Sequence, residues 1–155
     1  MQSNHRPDHK RLFFGFAVNA FLDQDIPQAR LLEEEDRHQT LVFLGYCDSM
    51  RLKEVIGTMP KPSWDIGLVA VAKNILFLPF KHPNCVALEW ELSESKELFL
   101  SYQKALTEFF FNEKILNEKK VEYPFLGHMT IGRRPFQENE WLTYFEQTPL
   151  ILGSL

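Results

Sequence analysis

Apolar positions along this chain switch between a period of two, which suits strands, and a period near 3.6, which suits helices. Residues 11–18 (RLFFGFAV) are almost continuously apolar and rich in Phe. They predict a strand buried on both faces, with Gly15 marking a close backbone approach. Residues 20–36 are less regular, and Leu31-Leu32 ahead of four acids suits a short helix with Pro27 near its start. Residues 38–45 read as a strand closed by Gly45. Asp48 or Ser49 then caps a short helix whose Leu52, Val55, Ile56 and Met59 fall at i, i+3, i+4 and i+7, ended by Pro60 and Pro62. Residues 66–72 and 75–80 read as two strands joined by a two-residue turn at Lys73-Asn74. Residues 85–92 (CVALEWEL) alternate as a strand. Ser93 or Ser95 opens the longest helix, with Leu98, Tyr102, Leu106, Phe109 and Phe110 along a face read as core. Tyr123-Pro124-Phe125 leads into a strand that carries Gly127 to Arg133. Asn139 starts a short helix with Trp141, Leu142 and Phe145, and residues 148–155 form a final strand.

The order strand, helix, strand, short helix, strand occurs twice, over 11–72 and 85–155. Outside one short motif the residues do not match, so the repeat is of pattern. The expected fold is α+β, a bilobal, pseudo-twofold duplicated unit of antiparallel sheets flanked by helices around a central cleft. At 155 residues the chain is expected to be one domain, 1–155.

Composition narrows the function classes. Hydrophobic content of 45% and charged content of 25% suit a soluble globular protein. A formal net charge of −4 argues against broad binding of long nucleic acid, which needs many cations to neutralise phosphates. It leaves room for a small nucleotide-like substrate served by local positive charge, such as Lys119, Lys120, Arg133 and Arg134. Cys47 and Cys85 form no C-x-x-C and read as buried thiols of a reducing compartment. No apolar run reaches membrane-spanning length and the N-terminus lacks a signal-peptide core, so a cytoplasmic monomer is expected.

The candidate chemistry lies in the motif that the halves share. Arg37-His38-Gln39-Thr40-Leu41 and Gly127-His128-Met129-Thr130-Ile131 each read His, any residue, Thr, branched aliphatic. In a strand, residues i and i+2 share a face, so each stretch sets an imidazole beside a hydroxyl. Two such faces brought together make a site for acid–base work on a phosphate. Five His and six Thr give about 0.2 such pairs by chance, so two followed by Leu or Ile exceed coincidence. Either stretch alone would read as an ordinary half-buried strand. The other titratable groups have blander roles. His5 and His9 fall in a polar tail, His82 in a surface turn, and Glu33 to Asp36 on a solvated face. No carboxylate–His set with metal-ligand spacing stands out, and no cofactor is expected.

These residues carry a resemblance to a known family. The chain resembles the 2H phosphoesterase superfamily, named for two H-x-T/S-x motifs, and within it the RNA 2′,3′-cyclic phosphodiesterase, or 2′-5′ RNA ligase, family. Arg11-Leu12-Phe13-Phe14 is similar to that family's first strand. His38 to Gly45 (HQTLVFLG) resembles its H-x-T-L-x-F-L-G signature, and His128 to Arg133 (HMTIGR) its second motif with an Arg five residues after the His. Two departures stand out: the connection from the first strand to His38 is short, and family members usually continue beyond the position of Leu155.

The resemblance implies metal-independent hydrolysis of a 2′,3′-cyclic phosphate end of RNA or an oligonucleotide, tRNA fragments among the candidates, to a 2′-phosphate. Imidazole suits both proton roles because it titrates near physiological pH. By resemblance His38 donates a proton to the leaving oxygen and His128 accepts one from water; the residues themselves do not orient these roles. Thr40 and Thr130 would donate to the non-bridging oxygens. Arg133, an odd number of residues from His128, faces away in a regular strand and reaches the phosphate only if the strand bends near Gly132. Phe14, Phe43 or Tyr123 are candidates to stack on the terminal base, with core burial as the competing role. The same groups would serve reversible 2′-5′ ligation. Rival readings are a phosphodiesterase for linear 2′-5′ oligonucleotides or small cyclic nucleotides, a non-catalytic RNA-end-binding module, and a zinc hydrolase using both His.

Overall fold

A computed structural model describes residues 9–22, 25–64, 67–92, 96–116, 127–148 and 151–155. In chain order the elements are β1 (His9–Ala17), β2 (Asn19–Ala20), β3 (Arg30–Leu31), β4 (His38–Asp48), α1 (Ser49–Val55), β5 (Val69–Leu78), β6 (Cys85–Glu91), α2 (Lys96–Asn112), β7 (His128–Arg133), α3 (Glu138–Gln147) and β8 (Leu152–Ser154). The strands form an eight-stranded sheet in the order β1-β4-β7-β6-β5-β8-β2, with β3 pairing β7 off this path. With antiparallel pairing between the strands and the three helices interspersed among them along the chain, the class is α+β as expected. Among the described residues no helix is long and apolar enough to cross a membrane.

By packing, the chain divides into two compact units, each assembled from three stretches. One comprises Met1–Phe14, Leu41–Asp65 and Glu97–Pro124. Its core is the face of α2 carrying Phe99, Tyr102, Leu106 and Phe110, all buried. Phe110 meets Phe14 of β1 at 6.2 Å between ring centroids. Gln103 donates from Nε2 to the Leu41 carbonyl at 2.9 Å, and the Tyr102 hydroxyl donates to the Pro60 carbonyl at 3.0 Å. Asp48 caps α1 by accepting from the Met50 N–H at 2.9 Å.

The other unit comprises Gly15–Thr40, Ile66–Lys96 and Phe125–Leu155. It contains the pairings β4–β7, β7–β6, β6–β5, β5–β8 and β8–β2. One face of these strands is apolar. Val86, Leu88, Met129 and Ile131 are buried there, and Trp141 of α3 is fully buried with its indole N–H donating to the Gln28 carbonyl at 3.3 Å. Trp90 lies so close over Gly153 that a Cβ there would come within 2.7 Å of the indole.

Several sequence expectations change. The Lys73-Asn74 turn is absent: β5 is one strand, and the register slips between Ala72 and Asn74 instead. A two-residue hairpin wants residues that accept positive φ, and Lys-Asn lacks the Gly that supplies it, so the extra residue is absorbed as a bulge. β1 is not buried on both faces; it ends the strand order, and Phe13 is 46% exposed. The Gly15 expectation holds, since a Cβ there would stand 2.7 Å from the Gln39 carbonyl oxygen. Residues 31–36 make no α-helix. They give the short β3 and a single 3-10 turn over Glu34–Asp36, whose acids are exposed. β4 continues past Gly45, which takes φ +67°, to Asp48. In α2, Phe99 is buried while Leu98 is exposed, one position off the expected stripe. The expected caps at Ser93 and Ser95 lie outside the described residues.

Candidate active site

Both His-x-Thr stretches fold as strands and lie next to each other in one unit. β4 and β7 pair antiparallel with Gln39 opposite Met129. The same register sets His38 beside Thr130 and Thr40 beside His128. Strand alternation then puts His38, Thr40, His128 and Thr130 on one face and Gln39 and Met129 on the other. Burial follows that split. The four motif residues are half-buried, whereas Gln39 is 1% and Met129 0% exposed. Two imidazoles and two hydroxyls thus form a square on a partly accessible surface, with each His flanked by the other strand's Thr.

The His38 ring is oriented from its own chain. Its Nδ1 lies 2.9 Å from the Asp36 carbonyl oxygen. A carbonyl only accepts, so Nδ1 carries the hydrogen in this contact. The 3-10 turn over Glu34–Asp36 presents that carbonyl, so the acidic run serves the site through its backbone while its carboxylates stay solvated.

A bulge settles the direction of Arg133. Across β6, His128 lies opposite Glu89 and Thr130 opposite Ala87, but Gly132 lies opposite Val86 and Arg133 opposite Cys85. One residue, Ile131, is extra on β7. Cys85, Ala87 and Glu89 share a face of β6 because they are two apart, so Arg133 shares the face of Thr130 and His128. The guanidinium side chain is exposed there, while Ile131 is buried behind. The bend that sequence parity demanded is present as this bulge.

Glu89 was not singled out in the sequence. It stands directly across from His128 on the same face, and its Oε2 accepts from the Asn74 amide at 2.7 Å. The available signal was a polar residue at the same parity as Ala87 in CVALEWEL; what was missing was the register that makes His128 its neighbour.

Other candidates take the blander roles. His82 is exposed in the connection between β5 and β6. Arg134 donates from Nε to the Pro83 carbonyl and lies 5.1 Å over the Phe136 ring, a structural clamp on that turn. Phe14 packs on Phe110, and Phe43 is 67% exposed in the α2-containing unit. His5, Lys119, Lys120 and Tyr123, and the side chain of His9, lie outside the described residues. Among the described residues no group of three or more His, Cys, Asp or Glu is arranged to hold a metal ion.

No protein-family model matches the chain. Over 115 residues it is 28% identical to an RNA 2′,3′-cyclic phosphodiesterase of Methanocaldococcus jannaschii, covering 72% of this chain and 58% of that protein. In fold it is similar to E. coli LigT solved with 3′-AMP, with a TM-score of 0.54 at 17% identity over 84% of this chain and 76% of LigT. It is also similar to TT0787 of Thermus thermophilus, with a TM-score of 0.51 at 21% identity over 70% of this chain and 60% of that one. The chain therefore spans less than two thirds of the length of the phosphodiesterase and of TT0787. In sequence it is similar to an RNA 2′,3′-cyclic phosphodiesterase and in fold to LigT and TT0787, in agreement with the 2H phosphoesterase resemblance of its paired His-x-Thr stretches.

Proposed function

We propose that this chain is a phosphodiesterase that opens the 2′,3′-cyclic phosphate end of RNA or an oligonucleotide to a 2′-phosphate. The observation that carries the reading is the β4–β7 register, which gathers His38, Thr40, His128 and Thr130 on one half-buried face. The 28% identity to an RNA 2′,3′-cyclic phosphodiesterase and the fold likeness to LigT, solved with 3′-AMP, support the same substrate class.

In this mechanism His128 takes a proton from water as its oxygen attacks phosphorus. The P–O3′ bond breaks, and His38 delivers a proton from Nε2 to O3′, leaving a 2′-phosphate and a 3′-hydroxyl. One imidazole must begin neutral and the other protonated, so the rate falls on both sides of an optimum. Thr40 and Thr130 donate to the non-bridging oxygens, where charge accumulates at the transition state. Arg133, on the same face, adds charge-assisted hydrogen bonds to the phosphate. A 5′-hydroxyl in place of water would give a 2′-5′ linkage with the same groups.

The test is an assay in EDTA on an oligonucleotide ending in a 2′,3′-cyclic phosphate, with the position of the product phosphate read out. Wild type should yield a 2′-phosphate. His38→Ala and His128→Ala should each lose at least about 100-fold, the lower range for a general acid or base. A folded wild type that leaves this substrate intact would overturn the assignment, and turnover of linear 2′-5′ oligonucleotides or cyclic mononucleotides alone would redirect it within the rival phosphodiesterases.

A further inference from the structure

A second arginine stands beside the site. β3 pairs antiparallel with β7, with Arg30 directly opposite Arg133 and Leu31 opposite Gly132. Residues directly opposite project to the same face. Since the Ile131 bulge turns Arg133 toward His128 and Thr130, it turns the face of Arg30 the same way. The two strands flanking this edge of β7 therefore continue one ladder. Its rungs are Thr40 with His128, His38 with Thr130, and Arg30 with Arg133.

The last rung sets like charges face to face, an arrangement that weakens strand pairing unless something neutralises it. Among the described residues Arg51 has ion pairs, to Glu54 and Glu113, whereas neither Arg30 nor Arg133 has one. Both are exposed, even though Glu33, Glu34, Glu35 and Asp36 follow Arg30 closely in the chain. The fold even makes room for the approach: Gly132 lets β3 come so close that a Cβ there would lie 3.0 Å from the Ala29 Cβ and 3.2 Å from the Arg30 carbonyl oxygen. A cross-strand arginine pair with no carboxylate partner among the described residues suits a ligand that brings more than one negative charge.

We propose that Arg30 binds the internucleotide phosphate next to the reacting one, so that the site selects a strand end over a free cyclic mononucleotide. The inference rests on the phosphodiesterase reading and adds a second phosphate subsite to it. The reacting phosphate belongs among the two His and two Thr, with Arg133 at its margin. Arg30 is on the neighbouring strand, on the side of His38, which protonates O3′ of the terminal ribose. The phosphate on O5′ of that same ribose is the nearest further anion in the substrate. Lys has the charge but lacks the planar fork that holds a phosphate through two donors, so the position favours Arg.

The experiment compares kcat/KM for uridine 2′,3′-cyclic phosphate with that for the dinucleotide UpU ending in a 2′,3′-cyclic phosphate. A third substrate carries a neutral methylphosphonate between the two uridines. Wild type should prefer the charged dinucleotide. Arg30→Gln should cut the ratio of dinucleotide to mononucleotide rates about tenfold, the lower end for a charge-assisted contact. It should also reduce the slope of log kcat/KM against log salt for the charged dinucleotide by about 0.7, the value for one contact to a single strand. With the methylphosphonate dinucleotide, wild type and Arg30→Gln should show the same ratio. An unchanged ratio in Arg30→Gln, whether both rates fall together or neither falls, overturns the proposal. If wild type hydrolyses none of the three, the phosphodiesterase reading fails on its own. The subsite is then judged by binding of 3′-phosphorylated UpU against 3′-uridine monophosphate, where loss of the wild-type preference in Arg30→Gln supports it and equal affinities in wild type overturn it.

Discussion

Gln39 shows how closely function and stability are interleaved at single positions. It separates His38 from Thr40, so alternation drives it to the face opposite the motif, where it is 1% exposed. Its amide oxygen and nitrogen are both buried without a hydrogen-bond partner. A buried amide left unsatisfied costs about 1–3 kcal/mol, while an apolar group of similar shape is neutral or stabilising. Gln39→Leu is therefore expected to raise stability by up to about 2 kcal/mol in urea unfolding and to retain turnover of the cyclic phosphate. A clear loss of stability would mean that an ordered water satisfies the amide. His38, one residue away, is governed by a different local rule. Its ring is fixed by the Asp36 carbonyl two residues earlier, a contact within reach of any chain that turns there. Each position of the motif thus answers to a distinct constraint: ring orientation, burial, or hydroxyl placement.

Among elements, the strands carry the information that decides the site. The β7 bulge at Ile131 changes which side chains share a face, and without it Arg133 would point into the apolar layer behind the sheet. Close approach of strands matters as much. Gly15 of β1 lies against the Gln39 backbone, with no room for a side chain. Gly15→Ala should destabilise the protein by about 1–3 kcal/mol, since the obstructing atom is a backbone oxygen that cannot rotate away. Gly57 is the control: a Cβ there meets nothing within 4 Å, so Gly57→Ala should stay within about 0.5 kcal/mol. Equal urea midpoints for the two variants would sink the close-approach account.

For the molecule as a whole, the pH dependence of stability at the alkaline end follows from two buried acids in the α2-containing unit. Burial pushes the Cys47 thiol above its ordinary value of 9.0, helped by the neighbouring Asp48 carboxylate. Burial likewise pushes the Tyr102 hydroxyl above its ordinary 10.0. In both, the fold prefers the protonated form, so the unfolded chain ionises first as pH rises. The stability they contribute is fully present below their ordinary values and is lost as pH climbs through 9.0 and then 10.0 toward the raised folded values. Urea midpoints should therefore fall from about pH 9 upward, and Cys47→Ala with Tyr102→Phe should flatten that decline. An equally steep fall in the double variant would assign the alkaline loss to other groups. Tyr102→Phe also removes the hydrogen bond to the Pro60 carbonyl, so its stability near neutral pH should be lower by about 1 kcal/mol.

Local chemistry was legible in the chain itself. Period-two and period-3.6 patterns mark β4, β6, α2 and α3, because alternation and helical repeat depend on residues only a few positions apart. The Asp48 cap is local in the same sense, whereas at Gly15 the chain marks only a position without a side chain, and the strand that approaches it, through Gln39, is set by the fold. The recurrence of His-x-Thr named both imidazoles and both hydroxyls, since a strand sets i and i+2 on one face wherever it packs. Pairing was decided only in three dimensions. That His38 neighbours Thr130, that Glu89 faces His128, and that Arg30 faces Arg133 are facts of register between strands distant in sequence. The two bulges belong to the same category. An extra residue looks like any other in the sequence, and only the partner strand's spacing shows that Lys73 is not a turn and that Arg133 joins the face of the motif.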